Sequence, residues 1–275
     1  MTPFSRDQLQ RALLLAPAIA TIGILFGAAV AGALRQSLDP TLLGGPATLS
    51  AWRDTLSDGA FHDAALFTLQ VTAMATALSA VLALALAWFL RRARTLTRLF
   101  ATLPVPIPHV LVTVVAVVWL APGGLADRLV GGLPLELTRD GEGLGITLVY
   151  TYKETPFLVL LLLMVMGQRL VENEEMAAVL GGSRWRQLQH VIWPAVRLPL
   201  LLGSIVVAAF VLGSFEVPLA VGPTYPDTLA TYALDATQID VTGGRATAAV
   251  ALLLAAGAAL AVAVVGLRVA RRWRG

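Results

Sequence analysis

The chain contains no cysteine, only one lysine, and few charged residues of either sign. Charged residues make up 13% of its 275 residues and hydrophobic residues 57%, whereas soluble domains carry about 25% and roughly 45–50%. The lack of cysteine excludes a secreted domain held by disulfides. The shortage of charge excludes a cytosolic enzyme and a disordered tail, because neither could be solvated by so few polar groups. With a mean hydropathy of +0.77, the composition predicts a protein surrounded mainly by lipid.

Basic residues do not indicate a nucleic-acid partner. The sequence pI is about 9.8, but the net charge is only +3. No zinc-binding, nucleophile-elbow, Walker A or dinucleotide-binding motif occurs, and the three histidines are widely spaced. We therefore expect no cofactor, no metal and no catalytic residue.

Long apolar stretches are the main structural signal. About 20 mostly apolar residues are needed for a helix to cross roughly 30 Å of hydrocarbon. The first stretch is longer than the h-region of a signal peptide, which favours a retained span. The sequence predicts an all-α, polytopic membrane protein whose six transmembrane helices are centred on residues 12–34, 64–90, 106–121, 143–168, 198–215 and 246–267.

Arginines predict the orientation of these spans. Most lie at the two termini and in the loops after the second and fourth spans, whereas most acidic residues lie in the other loops. Loops rich in arginine stay in the cytoplasm. We therefore expect both termini, and the loop at residues 169–197, to face the cytoplasm.

Three ionisable residues interrupt the apolar pattern. Lys153 and Glu154 are expected within the fourth span, and Glu216 within the fifth span, in the outer third of the bilayer. Such residues are costly in a membrane unless they are paired or face water. Two readings stay open: Lys153 pairs with Glu216 or Glu154 beside a hydrated pathway, or the pair only locks two helices together.

The loop at residues 169–197, called the helical loop below, carries the most informative pattern. Acidic residues open a predicted short helix at 172–180, where the helix dipole favours them. Gly181 and Gly182 then break the helix, Ser183 is suited to cap a second one, and Pro194 is expected to close the unit. The sequence predicts a compact pair of helices rather than a simple connector.

Here the sequence resembles the permease subunits of binding-protein-dependent ATP-binding-cassette (ABC) importers, with the MetI-like type I fold. Their motif reads Glu-Ala-Ala, three residues, Gly, then an apolar position and a closing Pro. Glu175 begins the triplet, Gly181 follows six residues later, and Pro194 stands thirteen residues after Gly181. Met176 replaces Ala and Leu188 stands where Phe is frequent, and both keep an apolar side chain. The resemblance covers approximately residues 61–267.

The resemblance implies an architecture and a set of partners. Residues 1–60 would form an N-terminal cytoplasmic segment, the first span and an outer loop, and residues 61–275 a five-helix permease core. The helical loop would dock on a cytoplasmic ABC ATPase subunit, where ATP hydrolysis would occur. A second permease subunit, either the same chain or a sister chain, and an extracytoplasmic solute-binding protein would complete the importer in the inner membrane. The residues expected to contact the ATPase are Glu175, Ala177, Ala178, Gly181, Arg184 and Trp185.

The solute is less well marked. The segment from Gly213 to Pro218, followed by Gly222-Pro223, resembles the branch that serves thiamine, iron(III) and polyamines. Two other classes stay open, a secondary transporter and a membrane-embedded enzyme. A secondary transporter usually shows internal repeats, and the enzyme would have only Lys153, Glu154, Glu216 and His109 to use.

Overall fold

The computed structural model describes residues 6–39, 46–132, 137–240 and 243–273, and within them the side chains of all but residues 6–12, 168 and 169. Every regular element in these ranges is helical, which confirms the all-α class. A five-residue π-helical segment, Leu188–Ile192, joins α9 to α10. The helices are α1 (Arg6–Leu38), α2 (Ser50–Ser57), α3 (Gly59–Leu90), α4 (Thr95–Thr102), α5 (His109–Leu120), α6 (Leu125–Val130), α7 (Leu144–Val165), α8 (Gln168–Val179), α9 (Arg184–Gln187), α10 (Trp193–Gly213), α11 (Glu216–Val221), α12 (Leu229–Ile239) and α13 (Gly244–Arg272).

The six predicted spans are confirmed. Within the described residues, six helical stretches are long and apolar enough to cross a membrane. Their side chains reach the surface in large numbers, as lipid contact requires. Among the residues used for the orientation, Glu136 and Arg274 and the side chains of Arg6, Arg11 and Arg169 lie outside the described part. The spans are Leu13–Leu38, Gly59–Leu90, His109–Val130, Leu144–Val165, Arg184–Gly213 and Gly244–Arg272.

The chain divides into two compact units. The smaller comprises Met1–Ser57 and Ala233–Leu253, and the larger Asp58–Tyr232 and Leu254–Gly275. In the smaller unit the indole N–H of Trp52 donates to the hydroxyl of Ser37 at 3.1 Å, which ties α2 to the end of α1.

The core of the larger unit forms where α3, α7 and α10 pack together. Large apolar side chains of α7 are fully buried there, Tyr150, Leu158 and Leu162 among them. At Gly203 of α10 an added Cβ would lie 2.6 Å from a methyl carbon of Leu158. Because the helix backbone approaches α7 so closely, glycine is required at this position.

Acidic side chains fix the ends of two of these helices. The Asp140 carboxylate accepts the backbone N–H groups of Leu144 and Gly145 at 2.6 and 2.9 Å, which satisfies free donors at the start of α7. Asp58 caps α3 and also accepts the hydroxyl of Tyr232 at 2.7 Å. Burial, followed by this bond to Asp58, raises the pKa of Tyr232 well above its usual range. This bond ties the start of α3 to Tyr232, the last residue of the first segment of the larger unit.

Prolines and glycines mark two further features of the packing. Pro104, Pro106 and Pro108 lie in a break between α4 and α5, and Pro108 is the residue that immediately precedes α5. In α13, a Cβ on Gly257 would meet nothing within 4 Å. The close approach of α13 is at Gly266, where a Cβ would lie 2.2 Å from a carbon of Ile205.

Candidate functional site

The corner of the helical loop is closed by backbone hydrogen bonds. The N–H of Gly182 donates to the carbonyl of Ala177 at 2.8 Å, and that of Gly181 to the carbonyl of Ala178 at 3.0 Å. This pair of bonds is a Schellman motif, in which the residue after the helix takes a left-handed conformation. Gly181 does so, with φ of +82°. The structure thus brings three of the expected contact residues together in one turn, and it gives glycine at 181 a backbone reason.

Gly182 contributes to the same corner for a different reason. A Cβ at Gly182 would lie 2.6 Å from the carbonyl oxygen of Ala177, so no larger residue fits beside the end of α8. The Gln187 side chain donates to the Gly182 carbonyl at 3.0 Å, which links the corner to α9. The sequence predicts a helix break at these two glycines. It does not show that Gly181 is needed for its left-handed backbone and Gly182 for its lack of a side chain.

The second half of the helical loop is continuous with a membrane span. Ser183 caps α9 as expected, since its hydroxyl accepts the N–H of Arg186 at 3.4 Å. The chain then passes through the π-helical segment into α10 without a turn. The expectation that Pro194 closes the unit is wrong. Pro194 lies within this continuous run of helix, directly after the π-helical segment.

Apolar side chains crowd the exposed surface of the helical loop. Val179 and Leu180 are 88% and 87% exposed, and Met176 and Trp185 are also exposed. Met176, Val179 and Leu180 border a shallow groove of about 490 Å³, together with Glu172 and Glu175. An apolar patch with an acidic border is typical of a surface that binds another protein.

One acidic residue of α8 faces the other way. Glu174 is only 1% exposed, and its carboxylate accepts two hydrogen bonds from the Nε and Nη2 atoms of Arg91, each at 2.9 Å. Arg91 ends α3, and its guanidinium lies 4.0 Å from the ring centre of Trp88. Sequence reasoning missed this pair because 83 residues separate its members.

Lys153 is buried in α7 but does not pair with an acid. Its ammonium donates to the backbone carbonyls of Pro104 and Val105 at 3.0 and 2.8 Å. No ion pair that involves Lys153 occurs among the described residues. The expected pairing of Lys153 with Glu216 or Glu154 is therefore wrong. Backbone carbonyls of the broken chain after α4 hold the ammonium instead.

Glu154 pairs with His109, a residue that the sequence singled out only as a candidate for a membrane-embedded enzyme. Its Oε1 lies 2.8 Å from Nε2 of His109, the first residue of α5. The His109 ring packs against Phe210 of α10, with 4.6 Å between ring centres. A carboxylate at a helix N-terminus is also favoured by the helix dipole. The signal available in the sequence was a histidine next to the proline-rich break, at about the depth of the acid.

Glu216 lies outside the fifth span. Helix α10 ends at Gly213, and Glu216 is the half-buried first residue of the short helix α11. The described residues therefore form one intramembrane polar group, made of Lys153, Glu154, His109 and the carbonyls of the α4–α5 break. We call it the intramembrane polar group below. Glu216 is not hydrogen-bonded to it.

Comparisons with known proteins identify relatives. No family model matches the chain. It is 31% identical over 193 residues to the inner membrane ABC transporter permease protein YnjC of Escherichia coli K12, covering 69% of this chain and 37% of that protein. It is 34% identical over 157 residues to the trehalose transport system permease protein SugA of Mycobacterium tuberculosis, covering 54% of this chain and 50% of SugA. The chain thus matches half or less of the length of these curated relatives.

Solved structures share the fold. A chain of a bacterial alginate ABC transporter, in complex with its alginate pentasaccharide-bound periplasmic protein, superposes with a TM-score of 0.72 over 97% of this chain and 95% of that chain. A second structure of an alginate ABC importer gives a TM-score of 0.74, with coverage of 97% and 96%. Both are 19% identical in sequence, so this likeness concerns the fold.

Proposed function

We propose that this chain, which belongs by sequence and fold with the permease subunits of ABC transporters, forms half of the membrane pathway of a binding-protein-dependent importer. In this proposal residues 61–275 are the permease core, and the helical loop is the part that an ATPase subunit grips. The single observation that carries the proposal is the glycine corner of the helical loop, with its exposed apolar surface.

The geometry of the helical loop suits mechanical coupling. The Schellman motif holds α8 and α9 at a fixed angle, and α9 continues into α10 without a turn. A rigid unit of this kind can pass a displacement into the membrane, whereas a flexible loop would absorb it. Glu175, Arg184 and Trp185 are exposed on it, so each is available to a partner.

The intramembrane polar group suits a movable boundary of the pathway. Lys153 and Glu154 lie about 14–15 Å from the start of α7, near the middle of its span. They hold the two sides of the α4–α5 break, at Val105 and at His109. Hydrogen bonds across a broken helix can be exchanged for others, and broken helices line transport pathways in many membrane proteins.

The partners and placement follow from the same proposal. One chain carries one helical loop and cannot enclose a pathway alone, so we propose a second permease subunit, identical or homologous. We also propose an extracytoplasmic solute-binding protein and a multi-pass placement in the inner membrane with both termini in the cytoplasm. The alginate transporter bound to its periplasmic protein and the inner membrane permease YnjC support such an assembly by analogy.

The solute class does not follow from the polar residues. Glu154 is engaged by His109, and Glu216 begins a short helix outside the span, so neither carboxylate singles out a cation. The expectation of thiamine, iron(III) or a polyamine gains no support from the comparisons, which name trehalose and alginate for other proteins. The relatives are transporter permeases, and they favour neither a membrane-embedded enzyme nor a secondary transporter.

Affinity purification from the native membrane tests the proposal. The tagged wild-type chain should retain an ABC ATPase subunit, detected by mass spectrometry. Gly181→Val should reduce that yield by about tenfold, because a β-branched residue is strained at φ of +82°. Gly181→Asn is the matched control, since Asn tolerates the left-handed conformation and should retain more ATPase.

Membrane insertion of both variants should equal that of the wild type. If the wild-type chain retains no ATPase subunit, the proposed function is wrong. If Gly181→Val retains as much ATPase as the wild type, the glycine corner is not part of the docking surface.

A further inference from the structure

The buried pair formed by Glu174 and Arg91 connects the helical loop to a span that is not its sequence neighbour. Three hydrogen bonds join the two side chains, at 2.9, 2.9 and 3.1 Å. Such bidentate contacts between arginine and a carboxylate are strong and fix orientation. The Arg92 guanidinium adds a weaker contact at 3.5 Å from the same carboxylate. This pair is distinct from the motif residue Glu175, which is exposed.

Arg91 is itself held on several sides. Its guanidinium stacks on Trp88 and donates to the Trp88 carbonyl. Arg98 donates to the carbonyls of Leu90 and Arg91 at the end of α3. The arginine that receives Glu174 is therefore a fixed point at the end of α3 and not a flexible surface side chain.

The other connection of α8 to the membrane contains a break in the helix. Helix α7 ends at Val165, and Gly167 joins it to α8 in an extended conformation, with φ of −76° and ψ of −174°. A Cβ at Gly167 would meet nothing within 4 Å, although Met166 and Leu170 on either side of it are buried. The backbone of α8 lies close to the two segments that follow it, α9 and the π-helical segment. The helix is therefore interrupted between α7 and α8, and the pair of Arg91 and Glu174 is a second connection of α8 to the spans.

We propose that Arg91 and Glu174 are positioning residues that lock α8 to the end of α3, so that a displacement of the helical loop by the ATPase moves α3 together with α10. The inference rests on the proposed function. Without the lock, α8 would be free to turn at the helix break at Gly167 while α3 stayed in place. Neither residue needs to touch the ATPase or the solute.

The test uses the complex with its ATPase subunit in lipid nanodiscs, with ATP as the probe. The chain lacks cysteine, so His62→Cys, exposed near the start of α3, supplies one reporter at the opposite end of the span. Its rate of reaction with a water-soluble maleimide is measured with and without ATP, beside the rate of ATP hydrolysis. In the otherwise wild-type chain, ATP should change the labelling rate by about fivefold or more.

Glu174→Gln should retain the ATPase subunit and its rate of ATP hydrolysis. Its labelling ratio, the labelling rate with ATP divided by that without ATP, should fall close to one. Arg91→Lys keeps the charge but loses the bidentate contact with Glu174. Its labelling ratio should therefore lie between those of the wild type and of Glu174→Gln. The exchanged pair Arg91→Glu with Glu174→Arg should recover part of the wild-type ratio. Arg94→Gln is the matched control, because it removes an exposed arginine of the same loop, and its ratio should equal that of the wild type.

The outcomes separate the two proposals. If the wild-type complex neither retains an ATPase nor responds to ATP, the proposed function fails and this inference fails with it. If the labelling rate of the wild type changes with ATP, and those of Glu174→Gln and Arg91→Lys change by the same factor, only the lock is refuted. Loss of the ATPase subunit from the folded Arg91→Lys chain would also refute it, since the pair would then shape the docking surface.

Discussion

Two consecutive residues of α7 hold opposite sides of one break in the chain. Lys153 binds the carbonyls of Pro104 and Val105 after α4, and Glu154 binds the histidine at which α5 begins. A buried carboxylate that loses its partner is costly, because its desolvation is then uncompensated. The ionisable residues of α7 therefore stabilise the junction of two other helices, and each depends on the partner it has there.

At the residue scale, His109→Leu should destabilise the protein. The Glu154 side chain, 10% exposed, would lose the bond at 2.8 Å, at a cost of about 1–3 kcal/mol. The measurement is thermal unfolding of the detergent-solubilised chain, followed by size-exclusion chromatography with fluorescence detection.

Two further variants make a double-mutant cycle. Glu154→Leu should also destabilise, and the double variant should be more stable than the sum of the two losses predicts. Additive losses would contradict a direct interaction between the side chains. Tyr152→Phe, at an exposed neighbour in α7, is the control and should unfold at the wild-type temperature.

At the scale of elements, close packing of α10 on α7 depends on a small residue. Gly203→Val should lower the unfolding temperature, because its side chain would overlap Leu158 and Leu161. Overpacking of this kind costs about 1–3 kcal/mol. Gly257→Val is the matched control, since a Cβ there meets nothing within 4 Å. A Gly203→Val chain as stable as the Gly257→Val chain would contradict the packing described for α10.

The elements also show how far sequence reasoning reaches. The six spans and the capped corner at Gly181 and Ser183 could be predicted, because apolar length and turn chemistry act over a few residues. The partners of Lys153, Glu154 and Glu174 could not. Each lies dozens of residues away in the chain, and its place depends on how three helices pack and where one of them breaks. For the same reason the sequence treated Pro194 as an end, whereas packing continues the helix through it.

At the scale of the whole molecule, the distribution of arginines predicts a definite topology. Single cysteines at Val179, in the helical loop, and at Ile239, at the end of α12, are both highly exposed positions. In intact cells a membrane-impermeant maleimide should label Ile239→Cys, while Val179→Cys should react only after permeabilisation. The native chain has no cysteine, so the wild type is an unlabelled control. Labelling of Val179→Cys in intact cells would reverse the orientation proposed above.

The π-helical segment at Leu188–Ile192 sets the direction in which the proposed ATPase-docking surface points. A π turn holds one residue more than an α turn, and each α-helical residue advances the helix by about 100°. Removing that one residue would leave α10 seated in the bilayer, yet rotate everything beyond it by more than a quarter of a circle. In related chains, an insertion or deletion at this point would turn the same proposed docking surface toward an ATPase subunit in a different position. No substitution in the surface itself would be needed.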